Sequence, residues 1–507
     1  MELTYREYRD KVQGCWNGKN IGGTLGAPFE CRRGVVEMDF YTRLPDGEPF
    51  PNDDLDLQLV WLNAAEQYGR FITGEILGEY WINYITPHWG EYGAGKNNLR
   101  AGILPPLSGV VNNRYKDSCG CFILSEIWAC LAPGHPEIAV RYALEDGCVN
   151  HADEGLYAEI FCAAMQSAAF VENDSQTLLD IGLSYIPDDC GVARGVTCVR
   201  SVYAKGLDWK AARKNLMKEV PGSFGALGTR REDMAEDEPV GDIGWDAPSN
   251  IAIIALGLLY GEGDFGRSLC IAAGCGEDAD CTAGTLGALL GIRDGDVSIP
   301  DRWSEPLGGR IKTLCINRAD LGLKIPDTVD ELTERVCRLM PVFLGQTLCD
   351  TTGEQGYRIT VRERGELVCR PEPVNAWYKR HFSDQLARSP YTISRDFPLF
   401  NLALEYDGAP FAAPGEEKVF RLTVENHIQM QQWITVRWYL PDGFLISPSD
   451  RVSDSLEQFY CEIGINRHEF RIRMPEHPTE REELVLTVSS LGHPTKGWIP
   501  VTIFTRG

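Results

Sequence analysis

The sequence predicts a multi-domain protein: an all-α helical bundle over residues 1–342, a linker or collar over 343–391, and an antiparallel β-sandwich over 392–507. Three observations predict this. Through the first two thirds of the chain, apolar residues recur at three- and four-residue spacing or form buried Ala-rich runs. After "GQTLCDTTGEQG", residues 345–356, the apolar period changes to two. Hydrophobic content of 43% and charged content of 24% suit a globular protein, and no stretch reaches the roughly 20 uninterrupted apolar residues that a membrane span needs.

The helical part reads from "LVWLNAAEQYGRFI", "SEIWACLA", "PEIAVRYALEDGCV", "GLYAEIFCAAMQSAAFV" and "NIAIIALGLLYG". Gly, Pro and Asn between them imply short connections. In the last part "KVFRLTVEN" sets Phe420, Leu422 and Val424 against Arg421, Thr423 and Glu425, and "WITVRWYLPDG", "HEFRIRM", "ELVLTVSS" and "WIPVTIF" alternate likewise. Short alternating strands at this spacing build a sandwich. The stretch "CRPEPVNAWYKRHF" between the two parts carries no assignable period.

A net charge of −24 without a basic stripe argues against nucleic acid as a partner, because phosphate backbones reward clustered Lys and Arg. The 17 cysteines are odd in number and lie mostly in apolar segments, which fits free thiols in a reducing compartment. "SCGC" has no second pair at zinc-like spacing. The opening "MELTYREYRDKVQGCWNGKN" lacks a basic flank followed by an apolar core, so a cytoplasmic protein with no membrane partner is expected.

Carboxylates are concentrated at two predicted helix starts. "PNDDLDLQLVWL" places Asn52, Asp53, Asp54 and Asp56 in a first turn. An N-cap with acidic residues against the helix dipole would explain that alone. A hard cation is the other explanation, and it requires oxygen ligands from a second place in the chain. "AAGCGEDADCTAGTLGALLG" supplies one, with Glu277, Asp278 and Asp280 opening a helix of small residues. Upstream, "GCWNGKNIGGTLGAPFE" ends at Glu30 and reads as a glycine-punctuated helix pair, not as a phosphate loop.

In this order "GGTLGAPFE", "NDDLD" and "GEDADC" resemble the ADP-ribosylglycohydrolase family over about residues 10–340. The resemblance implies an all-α fold with two Mg2+ sites at one end of the bundle, and leaves the β-rich part outside the family's core. Carried over, the metal ligands are Asn52, Asp53, Asp54, Asp278, Asp280 and Cys281. Cys281 stands where the family has Thr, and a thiolate suits Mg2+ poorly. Thr282 or water as the oxygen donor, weak binding of one metal, or Mn2+ or another divalent ion are the alternatives. Glu30 falls where the family has a mobile glutamate closing over the site.

The implied reaction is metal-dependent hydrolysis of a glycosidic bond. Asp53, Asp54, Asp56, Glu30 and Glu277 are the catalytic candidates, to move a proton and to stabilise positive charge on the sugar. For the substrate the candidates are Asn98, Arg100, Ser118, Gly120, His151 and Trp245. The family's Gly-Asn-Gly-Ser type loop, which helps receive ADP-ribose phosphates, is not matched; amides, prolines and hydroxyls stand in its place. That favours a neutral glycoside over an ADP-ribosylated substrate. A non-catalytic, crystallin-like protein binding a metal or ligand is the alternative from another class.

Overall fold

Four glycines spaced four apart, Gly14, Gly18, Gly22 and Gly26, decide how the helical part is built. In a computed structural model, which describes residues 1–44, 47–220, 234–235, 238–239, 244–318, 322–353, 356–368, 389–428, 430–458 and 464–506, they lie along one ridge of the first helix. This helix, α1 (Tyr5–Gly26), starts at a reciprocal cap: Thr4 Oγ1 accepts from the Glu7 N–H and the Glu7 carboxylate accepts from the Thr4 N–H. Three further helices matter for the site: α2 (Asp53–Tyr68), α3 (Gly90–Arg100) and α4 (Ala279–Asp294).

The glycine ridge of α1 lies against α4 in antiparallel order. A Cβ placed on Gly14, Gly18, Gly22 or Gly26 would stand 2.5, 2.0, 2.0 or 2.2 Å from the carbonyl oxygen of Gly291, Gly287, Ala283 or Ala279. No side chain fits at those separations, so the two backbones meet directly. The glycine-rich stretch is therefore one continuous helix that forms a tight pair with a distant one. Because the pair is antiparallel, the C-terminal end of α1 reaches the N-terminal end of α4, and Glu30 emerges beside Asp278 and Asp280. The start of α2 joins them from the side, where a Cβ on Gly23 would stand 2.8 Å from Asn52 Nδ2.

The chain divides into two units, residues 1–370 and 371–507. The first is the helical bundle, and it also holds a small antiparallel sheet of Glu2–Thr4, Arg358–Thr360 and Cys349–Asp350. Leu3 pairs with Ile359 and both are buried, which ties Cys349–Asp350 and Arg358–Thr360, inside the interval expected as linker or collar, to the first unit. Residues 369–388 of that interval, with the whole of "CRPEPVNAWYKRHF", lie outside the described residues. No helix among the described residues is long and apolar enough to cross a membrane.

The second unit is the expected sandwich. One five-stranded sheet runs from Phe411–Ala412 through Lys496–Thr505, Arg481–Ser490 and Gln432–Tyr439 to Arg451–Leu456. The other runs from Leu445–Ser447 through Ile465–Arg473, Glu417–Asn426 and Phe400–Tyr406 to Thr392–Phe397. Pairing is antiparallel except where Phe411–Ala412 runs parallel to the end of Lys496–Thr505. Phe420, Leu422 and Val424 from one sheet and Ile434, Val436 and Trp438 from the other are buried in a common apolar core. The period of two thus sorts each strand into an inner and an outer face.

Candidate active site

The two acidic helix starts meet. Asn52 caps α2, its Oδ1 accepting from the Asp54 N–H at 2.7 Å, and its Nδ2 donates to Asp280 at 3.3 Å. One amide therefore satisfies a helix terminus and ties it to the facing carboxylate. Two groups of ligand atoms result, each within 4.8 Å of one another: Asp54, Asp280 and Cys281, and Glu30, Asp278 and Asp280. Asp280 belongs to both. Asp53 leans towards α3 and accepts from the Tyr92 hydroxyl at 2.7 Å.

The electrostatics call for a cation. Asp278 and Asp280 are each 5% exposed, and neither Oδ1 has a hydrogen-bond partner among the described residues. Burial and then the neighbouring carboxylates push Asp280 up to about 7 and Asp278 well above the usual carboxylate range. Glu30, at the exposed rim, is pushed up to about 7 by desolvation and then by Asp53 and Asp54. The orphaned oxygens of Asp278 and Asp280 at the start of α4, facing Asp54 of α2 and Glu30, fit a divalent ion, whose charge would reverse these shifts.

Lys19 supports this arrangement from beneath. On α1 and 1% exposed, its ammonium donates to the Ile123 carbonyl, Glu126 and Thr285 Oγ1 at 3.2, 3.1 and 3.1 Å, and lies 3.5 Å from Asp54 Oδ2. Burial works against its charge, but Glu126 and Asp54 outweigh that and raise its pKa. Asn250 accepts from the Asp278 N–H at 3.1 Å and so fixes the start of α4.

The remaining candidates separate into those at the site and those that hold the fold. Asp56 Oδ2 accepts from the Leu314 and Cys315 N–H groups, both at 2.7 Å, and burial pushes its carboxyl to about 7. Glu277, in a left-handed conformation at φ 64°, accepts from Arg33 at 3.1 Å and has the Arg213 guanidinium at 3.7 Å. Thr282 donates to the Ala279 carbonyl of its own helix at 3.2 Å, while Cys281 Sγ points to Asp54 Oδ1 at 3.3 Å. Asn98 is spent on the Ser108 and Val111 carbonyls. Arg100 is exposed at the far end of α3 with the His88 ring at 3.3 Å.

Ser118 and His151 form a buried pair. Their Oγ and Nε2 are 3.1 Å apart, and His151 Nδ1 is 2.8 Å from Asn150 Oδ1. Burial pushes the imidazole down to about 3, so it is neutral. Glu91 lies 4.0 Å from the same Nε2 and against Gly120, where a Cβ would stand 2.0 Å from Glu91 Oε1. Trp245 donates from Nε1 to Cys31 Sγ at 2.9 Å, next to Glu30.

Lys19, Glu91 and Tyr92 escaped the sequence reading. A lone lysine inside a four-residue glycine repeat was the one available signal for the first. "GEY" at the start of α3 offers none for the other two.

A family model described as ADP-ribosylglycohydrolase matches residues 4–340. A solved structure titled "ADP-ribosylglycohydrolase-related protein complex" is similar at 19% identity, over 67% of this chain and 98% of that one, with a TM-score of 0.42. No curated protein matches the chain. The family match runs through α1, α2, α3 and α4 and covers well over half of the residues, and so the chain belongs to the ADP-ribosylglycohydrolase family of hydrolases.

Proposed function

We propose that this protein is a metal-dependent glycohydrolase acting on a neutral glycoside. The observation that carries the reading is Asp280, a buried carboxylate shared by two groups of converging ligand atoms. Mg2+ or Mn2+ bound by these oxygens supplies Lewis-acid polarisation of the sugar and of a water. Asp53, which Tyr92 orients, and Asp54 both act on the Glu30 carboxyl and would stabilise positive charge as the glycosidic bond breaks.

Glu30 is the base in this reading. It stands at the rim, where water and substrate enter, and is the exposed carboxylate of the two ligand groups, placed to take a proton from a water beside the ion. Asp56 and Glu277 are less suited, since backbone N–H groups hold the first and two arginines surround the second.

A neutral substrate follows from how the cations are used. Lys19 is buried beneath Asp54, Arg33 and Arg213 face Glu277, and Arg100 lies at the far end of α3. A pyrophosphate would need such groups turned outward. The described cysteines form no disulfide, which supports a cytoplasmic location.

The test is calorimetry with free ADP-ribose in Mg2+, beside a panel of neutral glycosides assayed for sugar release. The expected result is metal-dependent release from a glycoside, lost in Asp53→Asn, with weak ADP-ribose binding. Low-micromolar ADP-ribose affinity that Asp53→Asn removes would overturn the choice of substrate.

A further inference from the structure

The two groups of ligand atoms differ in one donor. Glu30, Asp278 and Asp280 offer oxygen alone, whereas Asp54 and Asp280 are joined by the sulfur of Cys281. All three members of the second group are buried. Cys281 Sγ lies 3.3 Å from Asp54 Oδ1, directed into the group and not away from it. Thr282, which could have completed an oxygen set, is turned back to the Ala279 carbonyl at 3.2 Å. Independently, Asp280 Oδ1 is buried and without a hydrogen-bond partner among the described residues.

Donor chemistry then separates the two positions. Mg2+ takes oxygen ligands and sheds water reluctantly, whereas a thiolate selects zinc-class ions over it. Zinc accepts both thiolate sulfur and carboxylate oxygen as ligands. Lys19, 3.5 Å from Asp54 Oδ2 and 3.1 Å from Glu126, holds Asp54 in place beside the group.

We propose that Asp54, Asp280 and Cys281 bind a thiophilic divalent ion of the zinc and cobalt class, while Glu30, Asp278 and Asp280 bind a hard, oxygen-seeking ion, so that the centre holds a mixed pair. This rests on the metal-dependent reading above. On binding, the Cys281 S–H bond breaks, its proton passes to solvent, and the sulfur lone pair forms the bond to the ion. No electron is transferred, so no oxidant or reductant is required.

Cobalt is the probe, because a thiolate bound to Co2+ gives a sulfur-to-metal charge-transfer band that oxygen ligands lack. Metal-free full-length protein is titrated with Co2+ by absorbance and by calorimetry. The band should rise with the first equivalent and persist in excess Mg2+. It should vanish in Cys281→Ser, with Co2+ affinity falling at least about tenfold. Cys281→Thr should fold alike by circular dichroism and bind two equivalents of Mg2+. Co2+ binding without the band, or a band that survives in Cys281→Ser, would overturn the thiolate assignment and leave the metal-dependent reading standing. Failure to bind either ion by calorimetry would remove both.

Discussion

The two units treat charge in opposite ways. In the sandwich, Lys418 and Glu482 are the buried charged residues among those described, and the core between the sheets is apolar. In the helical unit Lys19, Asp54, Asp56, Glu126, Asp278 and Asp280 are all buried, most of them around a single point. Burying a charge costs several kcal/mol unless it is paired, so a fold that concentrates such residues is giving up stability for something else. The contrast locates the chemistry in the helical unit without reference to any relative. Within it, chemistry and architecture are coupled, because the helix pair that closes the fold also brings the carboxylates together.

The sharpest way to break the contrast is at the glycine ridge. Gly22→Leu drives a side chain into the Ala283 carbonyl, where even a Cβ would stand at 2.0 Å. Loss of about 3 kcal/mol or more is expected, read by urea unfolding of the helical signal, with the sandwich transition unmoved. Metal binding should disappear with it. Retention of full affinity would show that the site does not depend on the pair.

Asp280→Asn keeps the shape and removes the shared charge. Divalent-ion affinity should fall by at least about 100-fold in calorimetry, and turnover with it. Unchanged ion affinity with a loss of stability in the helical transition would instead mark Asp280 as structural.

A smaller effect appears with pH. Asp56 and Asp280 are pushed to about 7, above their unfolded values of roughly 4. A carboxyl shifted upward stabilises the fold only while protonated, so metal-free protein should lose up to a few kcal/mol as pH rises from about 4 to about 7. Melting temperatures with chelator should follow that sign for the helical transition, and divalent ions should reverse it near neutral pH. A flat profile would mean that the carboxylates find other compensation.

At the low end, Trp433→Ser on the outer face of the sandwich, where the ring is 52% exposed, should change stability by no more than about 0.5 kcal/mol. A larger loss would show that the outer face of the sandwich contributes to stability as the apolar core does.

Much of this was legible from sequence. Period gave the helices and strands, because each face of an element either meets the core or does not. The carboxylates of the site stood out because Asp53 and Asp54, and Asp278 and Asp280, are crowded locally. What stayed hidden depends on partners remote in sequence. Lys19 reads as a surface lysine until Glu126 is found beside it. Glu277 and Asp56 read as spare carboxylates until Arg33 and the Leu314 and Cys315 N–H groups occupy them. The strand Arg358–Thr360 is too short to show a period at all, so its place in the first unit could come only from its pairing with Glu2–Thr4.

The α1–α4 seam also poses a problem of indexing. Two ridges that both repeat every four residues can mesh at more than one setting. Sliding α1 by four residues, about 6 Å, would set Gly14 opposite Gly287, Gly18 opposite Ala283 and Gly22 opposite Ala279, with small residues still facing small residues. Lys19 removes that degeneracy, since its ammonium reaches Thr285 and Glu126 at one setting. In the slipped setting it would be buried without them, at a cost of several kcal/mol. The lysine works as the key in a threaded joint: the glycines set how closely the two helices approach, and Lys19 sets where along them Glu30 and Asp280 come to rest.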